Sequence, residues 1–99
     1  MKIGYARTST LDQVAGFEAQ RRDLETAGCE KIFSEQVSSV TVRPQLAAAL
    51  DYLRDGDILI ASKIDRLARS VPDLLRIVEQ ATAKDVKVEI LALGWGAAG

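Results

Sequence analysis

The chain contains no histidine and only one cysteine, Cys29, in its 99 residues. The lack of histidine removes the side chain that most often serves as a general base and as a metal ligand. One cysteine cannot form a disulfide within the chain, which fits a reducing compartment such as the cytoplasm. We therefore expect Cys29 to be a small buried apolar group, and any reaction to use side chains other than imidazole.

The chain also lacks an excess of charge of one sign, because its 13 lysines and arginines nearly balance its 14 aspartates and glutamates. General affinity for nucleic acid rests on uncompensated basic residues, so any site for a polyanion must be local. The longest apolar runs, such as "ILIA", are far too short to cross a bilayer, and no apolar stretch of a signal peptide follows Lys2. With 99 residues, we expect one cytoplasmic domain with a single modest core.

Strand-like and helix-like segments alternate along the chain. The strand-like segments are "KIGYAR", "EKIFSE", "DILIAS" and "KVEILAL". The helix-like segments are "GFEAQRRDLETAG", "RPQLAAALDYLRDG" and "SVPDLLRIVEQATAKD", the last with a buried face of Leu74, Leu75, Ile77 and Val78. Pro44 and Ser70 mark helix starts, and Gly28 and Gly56 mark helix ends. This alternation predicts an α/β fold: three layers, with a mostly parallel sheet of four to five strands and helices on both faces.

Basic residues follow the first three predicted strands. Arg7 and Ser9 follow the first, Arg43 follows the second, and "SKIDRLARS" follows the third with Lys63, Asp65, Arg66 and Arg69. Loops at the carboxyl ends of parallel strands meet at one edge of a sheet, where ligands bind. Arginines there would bind a phosphate, which a serine among them could attack. Asp65 is the nearby side chain with an ordinary acid–base range, as a base or as a group that orients arginine.

Each of these residues also has a purely structural interpretation. Ser9 or Thr10 can cap the next helix, since "TLDQ" fits a capping box. Arg43 beside Pro44 fits a surface loop, and Asp65 can simply pair with Arg66 or Arg69. Tyr5 fits the core better than a catalytic role. Only the combination of these residues on one edge favours a functional site.

The combination "YARTS", an "RP" that opens a helix, and "KIDRLARS" resembles the small serine recombinases, which include resolvases and DNA invertases. The resemblance covers essentially the whole chain, with the motifs in the same order and at similar spacing. It implies a resolvase-like fold with flavodoxin-like strand order. It also implies site-specific DNA recombination, in which a serine attacks a phosphodiester and forms a phosphoserine link to the 5′ end of the cut strand.

The resemblance assigns the roles residue by residue. Ser9 is the nucleophile, which leaves Thr10 as the better cap. Gln13 and Lys63 support the site, and Asp65 is the family's aspartate. The phosphate-binding arginines are Arg7, Arg43, Arg66 and Arg69. No metal, nucleotide or other cofactor is implied. Gln20 is not carried over as a site residue, because the spacing from Gln13 to Gln20 is longer than in many members.

Members of this family continue into a long helix that joins two subunits, and then into a helix-turn-helix domain that reads the DNA site. This chain ends at "LGWGAAG", so we expect residues 1–99 to be the catalytic domain without those parts. The parent protein would be a homodimer that forms a synaptic tetramer on DNA. The 99-residue chain alone would be a monomer without recombination activity. Two alternatives stay open: an α/β module that binds a small phosphate ligand, and an inactive relic that keeps the fold.

Overall fold

A computed structural model describes residues 1–8, 14–36, 43–93 and 95–97. Strands and helices alternate as the sequence predicts, with one short helix and a final short strand in addition. The elements are β1 (Lys2–Thr8), α1 (Val14–Thr26), β2 (Lys31–Gln36), α2 (Pro44–Tyr52), β3 (Ile58–Ala61), α3 (Ile64–Leu67), α4 (Val71–Ala83), β4 (Lys87–Ile90) and β5 (Trp95–Ala97). A 3₁₀ turn, Leu91–Leu93, joins the last two strands.

The strands form one sheet in the order β2-β1-β3-β4-β5. The pairs β1–β2, β1–β3 and β3–β4 are parallel, and β5 is an antiparallel edge strand. The predicted fold class and strand order are therefore confirmed. In this order the chain reverses its direction of travel across the sheet between β1 and β3, which is where open α/β sheets bind their ligands.

The alternation of side chains along β1 divides the core into two layers. Ile3 and Tyr5 point to one face, where they pack with α2 and α4. Gly4 and Ala6 lie on the other face, where α1 packs through Leu24. The two layers of helices and the sheet between them place the carboxyl ends of β1, β2 and β3 at one common edge.

The helix signals of the sequence are partly confirmed. Pro44 opens α2, and Ser70 caps α4 by accepting a hydrogen bond from the Asp73 N–H at 3.2 Å. The prediction that α2 continues to Gly56 is wrong, because the helix ends at Tyr52 and the extended Leu53 is buried instead. The segment from Arg54 then turns through Gly56, whose φ of 89° suits a residue without Cβ.

Two predicted burials are also wrong. Leu75 is 57% exposed, because the inner face of α4 is formed by Leu74, Ile77 and the half-buried Val78. Cys29 is only half-buried, since it lies just after α1 at the margin of its layer. Burial nevertheless raises the pKa of its thiol to about 11, so the group is protonated and weakly nucleophilic at neutral pH.

The contact between α1 and the sheet leads to the first testable prediction. A Cβ on Gly4 would lie 3.1 Å from Cys29 Sγ and 3.2 Å from Leu24 Cδ1. Gly4→Val should therefore lower the free energy of unfolding by about 1–3 kcal/mol through overpacking. The matched control is Gly16→Val, because a Cβ there meets nothing within 4 Å. Urea denaturation of both variants checks this, and equal stabilities would contradict close packing at Gly4.

Candidate functional site

The short helix α3 organises the edge at which the parallel strands end. It begins three residues after β3, and as a single turn it leaves most of its carbonyl groups without helical partners. Two of these carbonyls accept hydrogen bonds from arginines of distant segments. Arg7 Nη2 donates to the Asp65 carbonyl at 2.5 Å, and Arg43 Nη1 donates to the Leu67 carbonyl at 2.7 Å. Arginines from β1 and from the start of α2 are thereby brought to the same helix.

Arg7 is held by its backbone as well as by its side chain. The Arg7 N–H donates to Gln20 Oε1 at 3.2 Å, and Gln20 Nε2 donates to the Arg7 carbonyl at 3.1 Å. Arg66 Nη1 donates to that same carbonyl at 3.3 Å. Arg7, Arg66 and the backbone of Asp65 therefore form one group, which lies at the carboxyl ends of β1 and β3.

Gln20 is a contributor that the sequence analysis set aside. It is only 6% exposed, on the inner face of α1. A polar side chain between Phe17 and Leu24 on the apolar face of a helix was the available signal. A buried amide must find partners, and the last residues of β1 provide them.

Arg43 is a candidate cation whose side chain is buried. Its side chain is 7% exposed and forms an ion pair with Asp73, whose side chain is 4% exposed. Arg43 Nη2 lies 3.0 Å from Asp73 Oδ1 and 2.8 Å from Oδ2. The interpretation of Arg43 as a surface loop residue is therefore wrong, since a buried guanidinium is retained only with such partners.

Glu35 fixes the start of α2, and with it the position of Arg43. Its carboxylate accepts hydrogen bonds from the Gln45 and Leu46 N–H groups, each at 3.2 Å, and from the Tyr5 hydroxyl at 2.5 Å. Burial and this bond to Glu35 raise the pKa of Tyr5 well above its ordinary value, so the phenol stays protonated. Tyr5 is fully buried, as the sequence analysis expected of a core residue.

The remaining predicted residues lie around this framework. Lys63 and the side chains of Asp65 and Arg69 are exposed, while Arg66 is half-buried. Lys63, Arg66 and Gln20 line a cleft of about 630 Å³ between α1 and the segment after β3. Ser9, Thr10 and Gln13 lie outside the described residues. The roles assigned to these residues therefore stay predictions.

Three buried polar atoms at the ends of β1 and β3 lack a hydrogen-bond partner among the described residues. Arg7 Nε, Thr8 Oγ1 and Ser62 Oγ are buried and form no hydrogen bond with any described residue. Such groups usually have a partner, so a polar ligand at this edge would satisfy them. Within the described ranges, no cluster of cysteine, aspartate and glutamate is arranged to hold a metal ion. No helix in those ranges has the length and apolar character needed to span a membrane.

The Asp73 carboxylate gives a pH-dependent prediction. Burial alone would raise its pKa, but the Arg69 N–H and the guanidinium groups of Arg76 and Arg43 outweigh burial and lower the pKa. A lowered pKa in the folded state stabilises the fold at neutral pH. That stability declines as the pH falls past the unfolded-chain value of about 3.9 and is lost below the folded-state pKa.

We therefore expect the free energy of unfolding to fall as the pH is lowered from neutral through about 3.9, and to fall less in Asp73→Asn, although that variant is less stable at pH 7. Urea titrations of both proteins across this range measure the difference. Parallel pH profiles would show that Asp73 does not carry the effect.

The sequence of the chain is similar to those of known proteins. Residues 2–96 match the family "Resolvase, N terminal domain". The chain is 39% identical over 94 residues to Tn501 resolvase of Pseudomonas aeruginosa, which covers 94% of this chain and 48% of the resolvase. It is 42% identical over 79 residues to DNA-invertase hin of Salmonella typhimurium, which covers 79% of this chain and 40% of the invertase. The chain thus spans about half the length of these curated relatives.

Solved structures share the fold. A resolvase family site-specific recombinase from Streptococcus pneumoniae superposes with a TM-score of 0.80 at 20% identity, covering 98% of this chain and 76% of that one. The N-terminal catalytic domain of TP901-1 integrase gives a TM-score of 0.77 at 22% identity, covering 100% of this chain and 83% of that one. The chain therefore belongs to the resolvase N-terminal domain family, the catalytic domain of the serine recombinases.

Proposed function

We propose that this chain is the catalytic core of a site-specific recombinase that cleaves and rejoins DNA by phosphoryl transfer to Ser9. The observation that carries the proposal is the meeting of Arg7, Arg43 and Arg66 around α3, at the switch point of the sheet. Guanidinium groups match the shape and charge of a phosphodiester, and a fixed cluster of them costs little reorganisation during the reaction.

The proposed cleavage step forms one bond and breaks one. Ser9 Oγ bonds to the scissile phosphorus while the bond from phosphorus to the 3′ oxygen breaks. The serine loses its proton, and the departing 3′ oxygen gains one. The 5′ end of the cut strand stays on Ser9 as a phosphoserine ester. Rejoining is the same step in reverse, with the 3′ hydroxyl of a new partner strand as the attacking group. The phosphoserine ester conserves the energy of the broken phosphodiester bond, so no nucleotide cofactor is needed.

The described residues would provide positively charged side chains, held in fixed positions, for this step. Arg7 lies near the end of β1, two residues before Ser9, and Arg66 bonds its carbonyl. Both guanidinium groups would stabilise the negative charge on the phosphate oxygens. Arg43 would add a third guanidinium from the start of α2, and Arg69 and Lys63 are exposed cations on the same edge. Asp65, whose carboxylate is exposed, would accept a proton or orient an arginine.

A chimera tests the proposal directly. This chain would replace the segment that it matches in Tn501 resolvase, and the chimera would be incubated with DNA carrying that resolvase's recombination site. We expect a covalent protein–DNA product on the 5′ strand end, formed equally well with EDTA, because the step uses no metal. A folded chimera that binds the DNA without forming the product, or forms it only with divalent metal, would contradict the proposal.

The partners follow from the same proposal. The parent protein would act on DNA as a dimer that pairs into a tetramer. The 99-residue polypeptide has a net charge of −1, so by itself we expect a monomer with weak, salt-sensitive binding that ignores DNA sequence. Sedimentation and titrations with specific and scrambled duplexes measure both properties. Tight binding that distinguishes the two duplexes would contradict this expectation.

A further inference from the structure

The buried carboxylate of Asp73, in the first turn of α4, has more partners than a helix cap needs. It accepts from Arg43 Nη2 through both oxygens, from the Arg69 N–H at 3.1 Å, and from Arg76 Nη2 at 2.5 Å. The capping function of this turn is already met by Ser70, which accepts from the Asp73 N–H. A cap does not require two guanidinium groups, and burying a charged pair costs desolvation energy.

The geometry of Arg43 shows what these contacts achieve. One end of its guanidinium is fixed by the Leu67 carbonyl and the other by both oxygens of Asp73. A planar group with two such anchors has a defined orientation, and its other N–H groups point in fixed directions. Without Asp73, the Leu67 carbonyl is the single protein acceptor left to Arg43 among the described contacts.

Asp73 also joins two segments of the candidate site. Arg43 follows β2, whereas Arg69 follows α3, and the same carboxylate bonds the side chain of one and the backbone of the other. Arg76 approaches the Asp73 carboxylate as well, but its side chain is 57% exposed. Arg76 therefore serves to balance the charge of the Asp73 carboxylate, while the buried contacts set the orientation of Arg43.

We propose that Asp73 is a positioning residue that orients Arg43, and the backbone at Arg69, for binding of the scissile phosphate. This inference rests on the proposed function for the identity of the phosphate, whereas the orientation of Arg43 is a property of the fold. A displaced anchor would misplace the guanidinium by about an ångström, and errors of that size cost on the order of a hundredfold in rate.

Asp73→Glu is the informative variant, because it keeps the charge and the capping pattern but moves the carboxylate. In the 99-residue chain, nitrogen-15 NMR of the arginine side chains measures how well Arg43 is held. We expect restricted Nη resonances for Arg43 in the wild type and averaged ones in Asp73→Glu. Arg76→Gln should leave the Arg43 signals restricted. Unchanged Arg43 signals in Asp73→Glu would overturn the inference.

The resolvase chimera supplies the second measurement, the single-turnover cleavage rate at saturating DNA. We expect Asp73→Glu to slow cleavage by roughly ten- to a hundredfold with unchanged DNA affinity. In a variant that already carries Arg43→Lys, Asp73→Glu should slow cleavage little further, because both substitutions remove the same interaction between Arg43 and Asp73. The control is Glu79→Asp, an exposed carboxylate on the same helix.

The outcomes distinguish the positioning role of Asp73 from the proposed function of the chain. A purely structural role for Asp73 would lower stability in thermal unfolding, and its effect would add to that of Arg43→Lys. A wild-type cleavage rate in Asp73→Glu would overturn the positioning role and leave the proposed function intact. A wild-type chimera that does not cleave would contradict the proposed function, and the NMR measurement would still decide whether Asp73 orients Arg43.

Discussion

Ser9→Ala in the resolvase chimera should abolish the covalent protein–DNA product while DNA binding persists. The alanine has no oxygen to bond to phosphorus, and the chain has no histidine to substitute as a nucleophile. Gel analysis under denaturing conditions measures the conjugate, and a filter or mobility assay measures binding. The loss should exceed that from any other single change in the site, because the bond itself cannot form.

The neighbouring hydroxyl provides the control for this experiment. Thr10 is the predicted helix cap, so Thr10→Ala should keep the conjugate and lower the free energy of unfolding by about 1 kcal/mol. A conjugate that survives Ser9→Ala but disappears in Thr10→Ala would assign the chemistry to Thr10. A conjugate that survives both would move it to another residue.

Arg66→Ala should slow strand cleavage by roughly a hundredfold or more, the scale seen when one group that stabilises transition-state charge is removed. Arg66 contributes to two parts of the site, since it lines the cleft beside α1 and bonds the Arg7 carbonyl at 3.3 Å. Single-turnover cleavage by the chimera at saturating DNA measures the chemical step separately from binding. DNA affinity should fall much less than the rate, because one phosphate contact is a small part of a full interface.

The matched control for Arg66 lies at the opposite edge of the sheet. Arg54 is an exposed arginine between α2 and β3, where the parallel strands begin. Arg54→Ala removes the same charge and should leave the cleavage rate unchanged. Equal losses from Arg54→Ala and Arg66→Ala would mean that overall charge matters, and not the position of Arg66 in the site.

Local patterns in the sequence determined the elements of the fold. Alternating apolar residues marked the strands, and Pro44 and Ser70 marked helix starts, because these signals act within a few residues. The order of strands and helices also placed the basic residues on one edge, since parallel topology permits no other arrangement of strand ends. The family could likewise be identified from "YARTS" and "KIDRLARS".

Only the tertiary structure decided which side chains hold the site together. Arg43 and Asp73 are 30 residues apart in sequence, as are Tyr5 and Glu35, and Gln20 reaches the backbone of Arg7 from another element. From the sequence alone, Arg43 fits a surface loop, and Gln20 is one more side chain of a predicted helix. Their partners come from elements that meet only when β1 lies between β2 and β3 and the helices cover both faces. Burial then strongly favours each pairing, because a charged or amide group without a partner inside the protein would cost a large part of the small net stability of the fold.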